Sequence, residues 1–224
     1  MGNFNKWNRD ENHEGDKLTV VLFVSRNKDN KTLPNFTERR NAFTTTKEPK
    51  QLHHQFQAFV AQGLPGEMCR MYVSVNPRSN AKTFKALQHK LLDDEFNLSC
   101  LPQRVAALAA KKENAYNSKH LKWLFDFDPV DGKDTEELLK EFLTDVQQYH
   151  ENTQTKKGAT RPPMTVEAHK TPNGYSVVVD QRFDTRELLD KWTNVELKRD
   201  DLVCVKWSRN HYLTVDLNNT HPNT

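Results

Sequence analysis

No apolar run in this chain approaches the roughly 18 residues that a membrane-spanning helix needs. The opening residues, from Met1 to Lys17, are polar and lack the apolar stretch of a secretion signal. The chain starts Met-Gly, but Lys6 stands where a myristoylation signal wants Ser or Thr. Cysteine is scarce: Cys69, Cys100 and Cys204 are odd in number, widely spaced and form no Cys-x-x-Cys pair. That argues against a disulfide framework and a zinc knuckle, and reads as buried free thiols in a reducing compartment. Neither sign of charge dominates, since 33 Lys and Arg meet 30 Asp and Glu, and the formal net charge of +3 is too small to imply nucleic acid by itself. There is no internal repeat. The expectation is a protein without membrane partners, located in the cytoplasm; its polar, compact style is phage-like, which for a phage product means the host cytoplasm.

The 224 residues are 35% hydrophobic and 28% charged, within the globular range. They suffice for one large domain or a domain with a small annex. The expected organisation is a polar arm over 1–16, an N-terminal α/β part over 17–117, a C-terminal α/β part over 118–217 and a polar tail over 218–224. The two parts are expected to form one compact domain.

Residues 18–24 and 69–75 are apolar, β-branched runs that read as buried strands. The polar segment 25–50 between them reads as a long loop. Leu52, Phe56, Phe59 and Val60 recur at helical spacing, with Gly63 as a stop. A second helix is expected after Asn80 as cap, with Phe84, Leu87, Leu91 and Leu92 on its apolar face. A third is expected after Pro102, and a fourth carries Leu138, Leu139, Phe142 and Val146 on its buried side. Residues 153–163 look like a linker. The last quarter reads as strands joined by turns at Asn173-Gly174 and Asp200-Asp201, with one short helix between. The strands are close enough to pair as hairpins. The fold class is therefore α/β in the α+β sense: a mixed, largely antiparallel sheet with helices packed on it.

The chemistry concentrates in Leu124-Phe125-Asp126-Phe127-Asp128. Alternate side chains of a strand share a face, so Asp126 and Asp128 point one way and the phenylalanines the other, into a core. Two carboxylates about 7 Å apart in a poorly solvated place repel one another. A divalent ion relieves that repulsion, and Mg2+ or Mn2+ suits oxygen donors and brings phosphate with it. Lys170-Thr171-Pro172-Asn173-Gly174-Tyr175-Ser176 is a turn entering a strand, where Gly174 and Asn173 allow close approach of a phosphate, Lys170 adds charge and Ser176 a hydroxyl. Arg70, Arg78 and Lys82 flank another strand, and Arg78 precedes a helix start that could meet a phosphate. Glu196 alternates with apolar neighbours and is the candidate third acid. Lys119 to Trp123, and Lys206-Trp207-Ser208-Arg209, mix bases with aromatics in a way that fits nucleic-acid backbone contact plus base stacking. The scattered histidines read as surface residues.

A hydrophobic strand ending in Asp-x-Asp, a Gly-containing turn entering a strand, and an acid on a later strand together resemble the catalytic core of the archaeo-eukaryotic primase and primase-polymerase superfamily. The similarity covers about residues 119–205. It implies Asp126, Asp128 and Glu196 as catalytic, metal-binding acids and a nucleotidyltransferase acting on nucleotides and on single-stranded or primed nucleic acid. In that family a phosphate-holding histidine follows the turn, and here the position is Ser176. That departure leaves open a non-catalytic nucleotide or nucleic-acid binding protein on a degenerate enzyme fold. The same Leu-Phe-Asp-Phe-Asp also resembles the first motif of haloacid-dehalogenase-type phosphatases, which implies Asp126 as nucleophile and a wholly parallel sheet. Pro129-Val130 follows where that family has Gly-Thr.

Overall fold

The computed structural model describes residues 16–93, 98–157 and 163–211. Nine strands form two sheets among these residues, and every pairing is antiparallel. The fold is α+β, as expected, but the strands are divided between two sheets. The first contains β1 (Lys17–Ser25), β2 (Arg39–Thr45), β3 (Met68–Ser74) and β9 (Leu202–Arg209) in the order β2-β1-β3-β9, with β4 (Arg78–Ser79) on the end of β1. The second has the order β6-β7-β5-β8, from β5 (Trp123–Phe127), β6 (Val166–Lys170), β7 (Tyr175–Val179) and β8 (Val195–Arg199). β6 and β7 pair as the expected hairpin. β8 and β9 do not: at Asp200-Asp201 the chain turns a corner from one sheet into the other.

Helix α1 (His53–Ala61) lays Phe56, Phe59 and Val60 on Val21, Phe23 and Met71 of the first sheet. Helices α4 (Thr135–Lys157) and α5 (Arg186–Lys191) cover the second. There Phe125 and Phe127 are fully buried against Leu139, Phe142 and Val146, as the alternation in β5 predicts. Each such buried ring contributes about 1.5–3 kcal/mol. Leu124 and Val178, on the other face of the second sheet, join the core of the first. β5 thus has one face wholly in a core, while its other face runs from core at Leu124 to polar at Asp126.

Several expectations change. β2 lies inside the segment read as a loop. It is an edge strand whose few apolar anchors, Ala42 and Phe43, serve opposite faces, so it carries no apolar run. α4 continues through 153–157 of the segment read as a linker, while residues 158–162 of it lie outside the described residues. Buried Thr153 fastens that extension: its hydroxyl donates to the Tyr149 carbonyl and accepts from the Asp184 N–H. Helix α2 (Asn80–Asp93) is capped not by Asn80 but by Ser79, whose Oγ accepts the Lys82 N–H at 3.2 Å, and by Asp16, which accepts the Ala81 N–H at 2.9 Å. Its apolar face is turned outward: Phe84 and Leu91 are exposed, and Leu92 is 85% exposed. Helix α3 (Leu101–Ala109) packs instead on Val20 and Ala42. Cys69 and Cys204 are buried free thiols, but Cys100 is exposed. His150 is buried beside Phe183, with Nε2 3.2 Å from Gln181 and 3.1 Å from Gln154, so it is not a surface residue.

Candidate functional site

Asp126 and Asp128 share one face at the end of β5, an interior strand between β7 and β8, and both line one cleft of about 310 Å³. Their wall also carries Ser176, Thr171, Asn173 and Lys198. The register explains the grouping. Ser176 and Glu196 stand directly opposite Asp126 on its two neighbouring strands, and His169 stands opposite Ser176 one strand further out. Directly opposed residues share a face.

A β-bulge refines this wall. Phe125 pairs with Leu197 and Leu124 with Arg199, which makes Lys198 the extra residue. Lys198 keeps the face of Glu196 by simple alternation and lines the cleft, while the bulge shifts the register so that Arg199 stands opposite Leu124. The Lys198 ammonium holds Glu196 at 2.6 Å. Its pKa is raised first by that hydrogen bond, with burial acting against. The Asp126 carboxyl is pushed above the ordinary aspartate range, first by burial and then by the charge of Asp128; Lys198 opposes the shift and Glu196 adds to it.

The opposite wall comes from the first sheet and the turn after β1: Leu22, Val24, Arg26, Lys28, Arg40, Arg70, Tyr72 and Cys204. Arg70 and Arg26 both grip Asp29, through their Nε atoms at 2.8 and 3.0 Å. Burial alone would raise the Asp29 pKa, but the hydrogen bonds from the two guanidiniums outweigh it and hold the carboxyl below its usual range. Burial likewise opposes the charge of Arg26, and the Asp29 contact more than restores it. Two cations on one anion leave a net positive charge on this wall. Tyr72 and Cys204 add no charge near neutrality: burial raises the Tyr72 phenol and pushes the Cys204 thiol up to about 11.

The remaining expected ligands are elsewhere. Arg78 is 1% exposed and grips Asp200 with both terminal nitrogens, so it ties the sheet-to-sheet corner and does not reach the cleft. Lys170 lies 3.8 Å from Glu136 and lines a separate hollow with Pro129, Asp134 and Tyr175. Gly174 is buried, and a Cβ there would stand 2.2 Å from the Phe127 carbonyl oxygen, so the glycine serves the packing of β7 against the end of β5. Glu196 is exposed and paired with Lys198, and among the described residues no three His, Cys, Asp or Glu side chains converge as a metal site. The cleft's cations come chiefly from Arg26, Lys28 and Arg40, in the segment read as a loop. The sequence signal for Arg70 was a lone charge in the apolar run Cys69 to Val75, a pattern that marks a buried or functional cation.

No family model, curated protein or solved structure matches the chain at a significant level. The antiparallel neighbours of β5 differ from the wholly parallel sheet that the phosphatase resemblance implies. Among the described residues no helix is long and apolar enough to cross a membrane.

Proposed function

We propose that the cleft handles nucleotide phosphates through a divalent metal ion, in the manner of a primase-polymerase-like nucleotidyltransferase. The observation that carries this reading is the opposition of two walls: Asp126 and Asp128 face Arg26, Lys28 and Arg70 across one cleft. Acids suit a hard cation and guanidiniums suit phosphate oxygens, and a metal-bound polyphosphate has both needs at once. Asp126 and Asp128 would hold Mg2+ or Mn2+, with the Ser176 hydroxyl beside them. The ion, when bound, supplies charge that stabilises phosphoryl transfer. The raised pKa of Asp126 fits this donor set, since a carboxylate pair short of positive charge gains most from a cation. Arg26 and Lys28 supply the phosphate-directed charge that Ser176 lacks. Ser176 and Glu196 in register with Asp126 support the superfamily resemblance.

A second reading is binding without turnover, and Lys198 favours it. Its contact with Glu196 at 2.6 Å occupies the acid that would be the third metal ligand. One experiment separates the two. Wild type, Asp126→Ala and Asp128→Ala are titrated with Mn2+ and with a nucleoside triphosphate, with and without metal. They are then incubated with labelled nucleotides, Mg2+ and primed or unprimed template. Metal-dependent nucleotide binding lost in both variants, with product formed, supports the transferase. Binding without product supports the second reading. Equal nucleotide affinity with and without metal overturns both metal-bridged forms.

A further inference from the structure

We infer that the first sheet seats single-stranded nucleic acid on the edge of the cleft, with one base stacked on Trp207, one flanking phosphate on Arg209 and the other in the cleft that Arg70 lines. The argument starts from register. Val24 pairs with Arg40 on one side and Arg70 on the other, and Arg70 pairs with Trp207. Arg40, Val24, Arg70 and Trp207 therefore form one row across four strands, on one face. The first three line the cleft. Trp207 continues the row onto the edge strand β9, where it is 40% exposed.

A second β-bulge puts it there. Tyr72 pairs with Cys204 but Met71 with Lys206, so Val205 is the extra residue. Without that insertion, strict alternation from Cys204 would bring Lys206 and Ser208 to the cleft face and turn Trp207 away. The bulge reverses the parity. Trp207 and Arg209 then share the face of Arg70, and Lys206 turns to the other side, where its Nζ meets His53. Both Trp207 and Arg209 are exposed. The indole, 40% exposed, lies between the cleft, where Arg70 is buried against Asp29, and the exposed Arg209 guanidinium about 7 Å further along the strand, which makes a cation–aromatic–cation line. A single strand presents phosphate, base and phosphate in the same alternation, and its unpaired bases have free faces to stack. In a duplex those faces are taken by neighbouring base pairs. A free mononucleotide would leave Arg209 without a role. This inference rests on the reading of the cleft as a phosphate site, since one of the two phosphates would sit there.

The test is fluorescence anisotropy of a short labelled oligothymidylate with wild type, Trp207→Ala, Trp207→Phe and Arg209→Ala, alongside Mn2+-dependent binding of a nucleoside triphosphate. Stacking of one base predicts that Trp207→Ala weakens oligonucleotide binding about tenfold or more, while Trp207→Phe keeps most of it. Arg209→Ala should weaken binding and flatten its salt dependence. Oligonucleotide binding unchanged in Trp207→Ala, binding no tighter than that of a mononucleotide, or equal binding of a duplex overturns the inference. If triphosphate binding persists and is lost in Asp126→Ala while Trp207→Ala changes nothing, this inference alone falls. If oligonucleotide binding depends on Trp207 but triphosphate does not bind, the inference holds and the reading of the cleft falls.

Discussion

Arg78 holds both carboxylate oxygens of Asp200, at 2.9 and 2.8 Å, across 122 residues of chain. Asn76 joins them, its amide donating to Asp200 at 2.9 Å and to the Lys122 carbonyl at 3.0 Å. The cluster fastens the corner between β8 and β9 to the strand that precedes α2 and to the start of β5. Removing one partner leaves the other charge buried and unpaired. Arg78→Ala or Asp200→Ala is therefore expected to cost about 3–5 kcal/mol in urea denaturation. The double replacement Arg78→Met with Asp200→Leu should cost less than either. Nucleotide affinity of the folded protein should be unchanged by the double variant.

The charge of Asp126 is expected to weaken the fold. Its pKa stands above the 3.8 of a free aspartate, because burial, and then Asp128, disfavour its ionised form. A raised carboxyl binds its proton more tightly folded than unfolded. The folded state is thus penalised once the group ionises, and the penalty disappears as pH falls through the folded pKa and below 3.8. Asp126→Asn should raise the metal-free Tm by a few degrees at neutral pH and give no advantage below about pH 3.8, as followed by circular dichroism. Mn2+ should stabilise wild type more than the variant.

Lys198 is expected to compete with metal. Its ammonium sits on Glu196 at 2.6 Å and pulls down the pKa of Asp126. Lys198→Gln frees Glu196 to act as a third oxygen ligand. Calorimetry should show Mn2+ affinity several-fold higher in this variant. Binding of a triphosphate without metal should be weaker, because one cation has left the cleft. Weaker Mn2+ binding would mean that Lys198 supports the metal site through packing.

Gly174→Ala is expected to destabilise through backbone contact alone. The added Cβ meets the Phe127 carbonyl oxygen at 2.2 Å, and neither atom lies on a flexible side chain. A loss of about 1–3 kcal/mol or more is expected in thermal unfolding, the range of overpacked sites. Asn173→Ala, at an exposed turn position, should leave stability nearly unchanged.

The parts legible in the sequence were those governed by simple periods. Phe125 and Phe127 alternate with Asp126 and Asp128, and both the buried ring pair and the shared face of the acids follow from a period of two. The apolar stripe of α4 follows from 3.6. The parts that were not legible depend on breaks in period or on partner choice. Bulges at Lys198 and Val205 shift parity, and nothing in an alternating pattern announces the extra residue. β2 was hidden because an edge strand can be mostly polar. Arg78 looked like a phosphate ligand because a sequence does not show whether an arginine will meet an anion from solvent or Asp200 from its own chain. The outward face of α2 shows the same limit, since a helical stripe reveals apolar side chains but not what covers them.

The pairing of β3 with β9 imposes an order on synthesis. Residues Met68–Ser74 are made early, yet their partner, Leu202–Arg209, emerges last among the described elements. At ~5–20 residues per second, the outer edge of β3 waits on the order of ten seconds for its neighbour on the ribosome. In that interval β5, β6 and β7 can already pair against α4, whereas β8 emerges only just ahead of β9. The nascent chain then carries Asp126 and Asp128 beside β7, with the β8 side of their wall and the β9 side of the opposite wall still missing. The open edge of β3 includes Arg70, and a charge in an unpaired strand discourages joining with other chains. The cleft is thus complete only once β9 has joined β3, and slow-folding variants should be sought in β9 before any other strand.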